Sequence, residues 1–143
     1  MEKETLKQYE DMRRECDDLK VRIKNAEREL ADFENRFCIK DITFGGTGGI
    51  QHFTVEGIRY PEYTQKKTQL MQRKLRMETL KKELESKITE VEQYIDSIDD
   101  SRKRLIMRYK YIDGLSWVQI AGKMGTAESS VRSEIKRYMD EKN

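Results

Sequence analysis

One proline, two cysteines, one histidine and one tryptophan among 143 residues put several kinds of protein out of reach. Cys16 and Cys38 are too few for the disulfide framework of a small secreted domain, and with the distant His52 they form no zinc-ligand set. A single histidine without a Ser or acidic neighbour at useful spacing gives no nucleophilic triad, so His52 reads as an ordinary loop residue. No run of about 18 apolar residues is present, and the charged start MEKETLKQYE lacks the apolar core of a signal peptide. Together these gaps predict a cytoplasmic protein with no metal, no cofactor and no catalytic activity.

What the chain does have is charge. Asp, Glu, Lys and Arg make up 39% of it against a hydrophobic share of 36%, a balance that suits extended helices burying a narrow stripe. The net charge of +2 hides an asymmetry. Residues 101–143 carry ten Lys or Arg against five Asp or Glu, whereas residues 1–100 carry an acidic excess of three. The basic excess therefore lies in the last third.

In the first hundred residues, Tyr9, Met12, Cys16, Leu19, Ile23, Ala26, Leu30, Phe33 and Phe37 recur at alternating spacings of three and four. That seam is a coiled-coil signal, and neither Gly nor Pro interrupts the chain before Gly45. The spacing predicts one helix from about Glu4 to Phe37. A second stripe follows Pro61, formed by Leu70, Met77, Leu80, Leu84, Ile88, Val91, Ile95 and Ile98. Nearly equal lengths favour an antiparallel hairpin within one chain, although heptads are equally compatible with seams that mate between chains in a homo-oligomer. The joint between the two stripes, residues 38–61, holds GGTGG between ITF and IQHFTVEGIRY. Alternation of Phe53 and Val55, then Ile58 and Tyr60, suits a small β-hairpin with glycines at its tip; a plain connector is the other reading. GGTGG lacks the following Lys and the spacing of a phosphate-binding loop.

The last third carries the most specific pattern. Asp99, Asp100 or Ser101 can cap a helix whose stripe is Leu105, Ile106, Tyr109 and Ile112 and which ends at Gly114. Ser116 and Gln119 form an S-x-x-Q capping box ahead of Ile120, Ala121 and Met124. Gly125, four residues after the small Ala121, suits a left-handed turn between two crossing helices, and Thr126 can cap the second. Val131 and Ile135 point back into a small core, leaving Glu128, Ser129, Arg132, Ser133 and Lys136 outward. The predicted fold class is thus all-α: a long coiled-coil hairpin over residues 1–98, then a trihelical domain with helix-turn-helix spacing over residues 99–143.

The run RKRLIMRYKYIDGLSWVQIAGKMGTAESSVRSEIKRYM resembles region 4 of bacterial RNA polymerase sigma factors, whose helix-turn-helix reads promoter DNA. The matching positions are Arg108, Tyr109, Gly114, Leu115, Ser116, Ile120, Ala121, Gly125, Val131, Ser133 and Ile135. Thr126 departs from the apolar residue usual there, and Ala127 from the usual capping Ser. The order of parts resembles small sigma-like regulators of phages and prophages, of the RinA and ArpU type of late transcription regulator. The resemblance implies binding to double-stranded DNA and to RNA polymerase. It also implies no promoter melting by the chain alone, because nothing here is similar to the strand-opening region of a full sigma factor.

On this reading Arg132 is suited to a guanine edge, and Ser129 or Ser133 to a base or phosphate. Lys123, Lys136, Arg137 and the free N–H groups near Ser116 are suited to phosphates, with Glu128 on the same outward face. The tract Arg102, Lys103, Arg104 can grip a phosphate strand or stand as a solvated helix start. Trp117 can touch DNA, but packing onto Tyr109 or Ile112 is the favoured reading. Two other functions fit the same sequence. A phage DNA-packaging component like a terminase small subunit also joins such helices to an oligomer, and a coiled-coil adaptor can bind RNA polymerase without reading DNA.

Overall fold

The computed structural model describes residues 1–45 and 60–142, with side chains over 1–36 and 61–142. All regular structure among the described residues is helical: α1 (Lys3–Lys7), α2 (Tyr9–Gly45), α3 (Tyr60–Asp96), α4 (Ser101–Met107), a π-helical turn (Arg108–Ile112), α5 (Trp117–Met124) and α6 (Glu128–Lys142). The β-hairpin expected around Phe53, Val55 and Ile58, and His52 with it, lies outside the described residues.

Three boundaries differ from those read in the sequence. The first helix is parted at Gln8, where ψ relaxes to −4°, yet Gln8 N–H still reaches the Glu4 carbonyl at 3.1 Å and Met12 N–H the Gln8 carbonyl at 2.8 Å. The same helix runs on through the expected joint to Gly45. Ile39, Ile42 and Thr43 cost only a few tenths of a kcal/mol each in a helix, and Gly45 is the first residue that costs much more. Tyr60, expected to end a strand, opens α3, with Pro61 in the first turn, where a missing N–H leaves no bond unmade.

The chain divides into two compact units, residues 17–81 and residues 1–16 with 82–143. In the first, Leu19, Ile23, Ala26 and Leu70 are buried. Glu27 pairs with Lys74 (3.5 Å), Glu29 with Arg73 (2.5 Å) and Glu34 with Lys67 (3.0 Å), and the rings of Phe33 and Tyr63 stack 5.2 Å apart. Partner numbers fall on α3 as they rise on α2, so the two stretches run antiparallel. Leu80, read as part of the apolar stripe, is exposed. At 100° per residue it stands about 80° around the helix from Leu70, at the margin of the stripe. Met71 and Leu75, about 100° and 140° from Leu70, are exposed as well.

The second unit has a fuller core. Leu6, Tyr9, Val91, Ile95, Ile106, Met107, Ile120, Val131 and Ile135 are all essentially inaccessible, and Met12, Ile98 and Met139 nearly so. Residues from α1, the start of α2 and the end of α3 thus share one core with α4, α5 and α6. Tyr9 donates to the Glu92 carboxylate at 2.5 Å, and burial together with that acidic neighbour pushes its hydroxyl pKa up. Asp100 is the residue that caps α4, accepting from Lys103 N–H at 3.1 Å, and this bond holds its carboxyl below the usual range. Within α4 the expected stripe is shifted: Ile106 and Met107 are inside, while Leu105, Tyr109 and Ile112 are half-buried. The wide turn that follows, in which Asp113 N–H reaches back five residues to the Arg108 carbonyl at 3.0 Å, breaks the 3.6-residue register on which that stripe was read.

Candidate nucleic-acid interface

Between Gly114 and α6 the local sequence dictates the backbone closely. Gly114 takes φ +70° and Leu115 N–H closes onto the Tyr109 carbonyl at 3.0 Å, which ends the π-helical turn. Ser116 then starts α5 with both halves of the capping box: its hydroxyl accepts from Gln119 N–H at 3.2 Å, and its own N–H donates to Gln119 Oε1 at 2.9 Å. At the far end Gly125 is left-handed (φ 68°, ψ 29°), and Thr126 N–H bonds the Ala121 carbonyl at 3.1 Å. These bonds satisfy helix-end groups that would otherwise need water, and they redirect the chain into α6. Ala127, not Thr126, stands just ahead of α6, its carbonyl accepting from Ser130 and Val131. An alanine has no side-chain acceptor, so this helix starts without the hydroxyl cap expected of Thr126.

α6 is sharply two-faced. Val131, Ile135 and Met139 are buried, while Ser129, Arg132, Ser133, Lys136 and Arg137 are exposed and Glu128 is half-buried. Of the residues singled out in the sequence, Ser133, Lys136 and Arg137 line one shallow depression together with Asp140 and Glu141. Arg132 donates through Nη2 to Glu128 Oε1 at 2.6 Å. Among the described residues Arg137 pairs with no carboxylate. Lys3 bonds Asp140 and, with a smaller contribution from Lys136, holds that carboxyl below its usual range. Ser116 and Lys123 stand at opposite ends of α5. The hydroxyl of Ser116 is engaged in its capping box, and the Lys123 ammonium lies 5.4 Å from the centre of the Tyr109 ring.

The basic tract at the start of α4 is engaged elsewhere. Arg102 Nε reaches both carboxylate oxygens of Glu134 at 3.2 Å, Lys103 lies between Asp100 (3.8 Å) and the Tyr138 ring (5.4 Å), and Arg104 donates to the Ile98 carbonyl at 2.8 Å. Two of these partners lie more than thirty residues along the chain, beyond what local spacing can reveal. Trp117 is half-buried, with the Lys110 ammonium 4.8 Å from its ring centre in a cation-on-ring contact. Lys110, which lies in the π-helical turn, is absent from the sequence-derived site. Among the described residues no three His, Cys, Asp or Glu side chains converge as metal ligands do, and no helix is long and apolar enough to cross a membrane.

The arrangement can present a rigid helix face of hydroxyls and cations, anchored from behind by three buried side chains. A protein-family model described as a protein of unknown function (DUF1492) matches residues 49–140, which take in α3 to α5 and nearly all of α6. No curated protein and no solved structure matches. With well over half of its length covered by that match, the chain belongs to the DUF1492 family.

Proposed function

We propose that this chain is a sequence-selective, duplex DNA-binding regulator of transcription, in which α5 and α6 act as a helix-turn-helix and α6 is the recognition helix. One observation carries the reading: α6 buries Val131, Ile135 and Met139 and turns Ser129, Arg132, Ser133, Lys136 and Arg137 to solvent, next to a left-handed Gly125 turn. A helix held on one side and polar on the other is what a major groove admits. Arg132 supplies a fork for guanine, the two serines reach bases or phosphates, and Lys136, Arg137 and Lys123 supply phosphate contacts. The antiparallel stretches of α2 and α3 form a coiled-coil arm that spaces or pairs copies of the reader. The family is phage-associated, in keeping with a regulator of phage or prophage type that touches RNA polymerase and does not open promoters by itself.

The test is selection of binding sites from a pool of random duplexes at two salt concentrations, beside a variant carrying Arg132→Glu and Lys136→Glu. One enriched motif is expected, with affinity falling as salt rises and selectivity lost in the variant. Failure of the wild-type chain to enrich any sequence, or indifference to the double reversal, would falsify the reading.

A further inference from the structure

We infer that Glu128 and Arg132 work as one two-base reader that selects a cytosine beside a guanine; this deepens the DNA-binding reading above and rests on it. The two side chains stand one turn apart on α6, and Arg132 Nη2 donates to Glu128 Oε1 at 2.6 Å. Both remain accessible to a ligand, the Arg132 side chain 57% and the Glu128 side chain 42% exposed. Their polar heads are thus closer together than one base-pair step of about 3.4 Å, so the pair can address neighbouring base pairs without parting.

The remaining bonding capacity sets what each head accepts. Arg132 commits one of its N–H donors to Glu128 and keeps the rest of the fork for guanine O6 and N7. The Glu128 carboxylate can only accept, and phosphates on both sides of a groove repel it. It is tolerated where it meets an amino group. In the major groove the amino donors are cytosine N4 and adenine N6, and adenine sets its N7 acceptor beside N6, against the second carboxylate oxygen. Cytosine is left as the favoured neighbour. A mere surface ion pair within a helix would add little to stability and would select no base.

Selection from random duplexes with the full chain, Glu128→Gln and Glu128→Ala separates these cases. The wild-type motif is expected to hold neighbouring guanine and cytosine positions. Glu128→Gln should keep the guanine and shift the cytosine position toward adenine, since an amide pairs with adenine N6 and N7, with about tenfold lower discrimination for cytosine. Glu128→Ala should lose preference at that one position. An unchanged cytosine position in both variants overturns the inference, as does a change confined to the guanine position, which would make Glu128 a positioning residue for Arg132. A uniform rise in affinity for all sequences overturns it too. A wild-type motif lacking adjacent guanine and cytosine defeats this inference alone, whereas no wild-type motif at all defeats the DNA-binding reading and this inference with it. Unchanged helicity of both variants shows that the fold is not the cause.

Discussion

The two units hold their helices together by different means. Residues 17–81 rely on few buried side chains, with Glu27–Lys74, Glu29–Arg73 and Glu34–Lys67 joining exposed flanks. Residues 1–16 with 82–143 collect apolar side chains from six helices and add helix caps and the Tyr9–Glu92 hydrogen bond. Two antiparallel helices need only one stripe covered, so large apolar residues such as Met71 and Leu75 can remain in water. A helix anchored by Val131, Ile135 and Met139 is fixed in orientation by a core fed from several helices. The contrast teaches that placement of α6 is a property of the larger unit as a whole, down to Leu6 near the N-terminus.

The sharpest way to break this comparison is to cut one side chain in each unit. Ile106→Ala removes a fully buried residue surrounded by several helices, and the expected loss is about 3 to 5 kcal/mol. Leu70→Ala removes a buried residue between two helices whose flanks can close in, and the expected loss is near the lower end of the range, about 2 kcal/mol. Denaturant unfolding followed by circular dichroism gives both values. Equal losses would mean that the units are not differently packed in energetic terms.

A smaller effect separates the two left-handed glycines. At Gly125 an added Cβ meets nothing within 4 Å, so Gly125→Ala should cost only the left-handed backbone strain of about 1 to 2 kcal/mol. At Gly114 the same atom comes within 3.2 Å of Glu10 Oε2, so Gly114→Ala adds a contact to that strain and should lose more. The double variant Gly114→Ala with Glu10→Ala then recovers the difference. If Gly114→Ala is no worse than Gly125→Ala, the start of α2 is not held tightly against this turn.

Much of this was legible in the sequence wherever one turn of helix decides the matter. The Ser116 and Gln119 box, the left-handed Gly125 and an aspartate cap for α4 follow from residue types at fixed short spacing, and so do the buried positions from Tyr9 to Ala26. Tyr109 and Ile112 fell out of the expected stripe because the π-helical turn shifts the register after α4, whereas the burial of Met107, ahead of that turn, depends on helices distant in sequence. Leu6 was missed because its burial depends on distant helices, and the seam was counted from Tyr9. The partners of Arg102 and Lys103 were hidden for the same reason: Glu134 and Tyr138 come near only when α6 folds back. Of the candidate site, the outward face of α6 was visible from its period, but the engagement of Arg132 with Glu128 required side-chain positions.

The smallest effect belongs to the ion pairs of residues 17–81. Arg73 reaches Glu29 at 2.5 Å, yet both side chains are about half exposed, so water and salt screen them. Arg73→Ala should therefore cost only about 0.2 to 1 kcal/mol, and raising the salt concentration should shrink that cost further. A double-mutant cycle with Glu29→Ala, run at low and high salt, isolates the pair from whatever the arginine stem covers. A coupling energy that stays above about 1 kcal/mol at high salt would place these charges in the energetic core of the unit and erase the contrast with the larger one. A coupling that vanishes with salt leaves Leu19, Ile23, Ala26 and Leu70 as what holds the two stretches together.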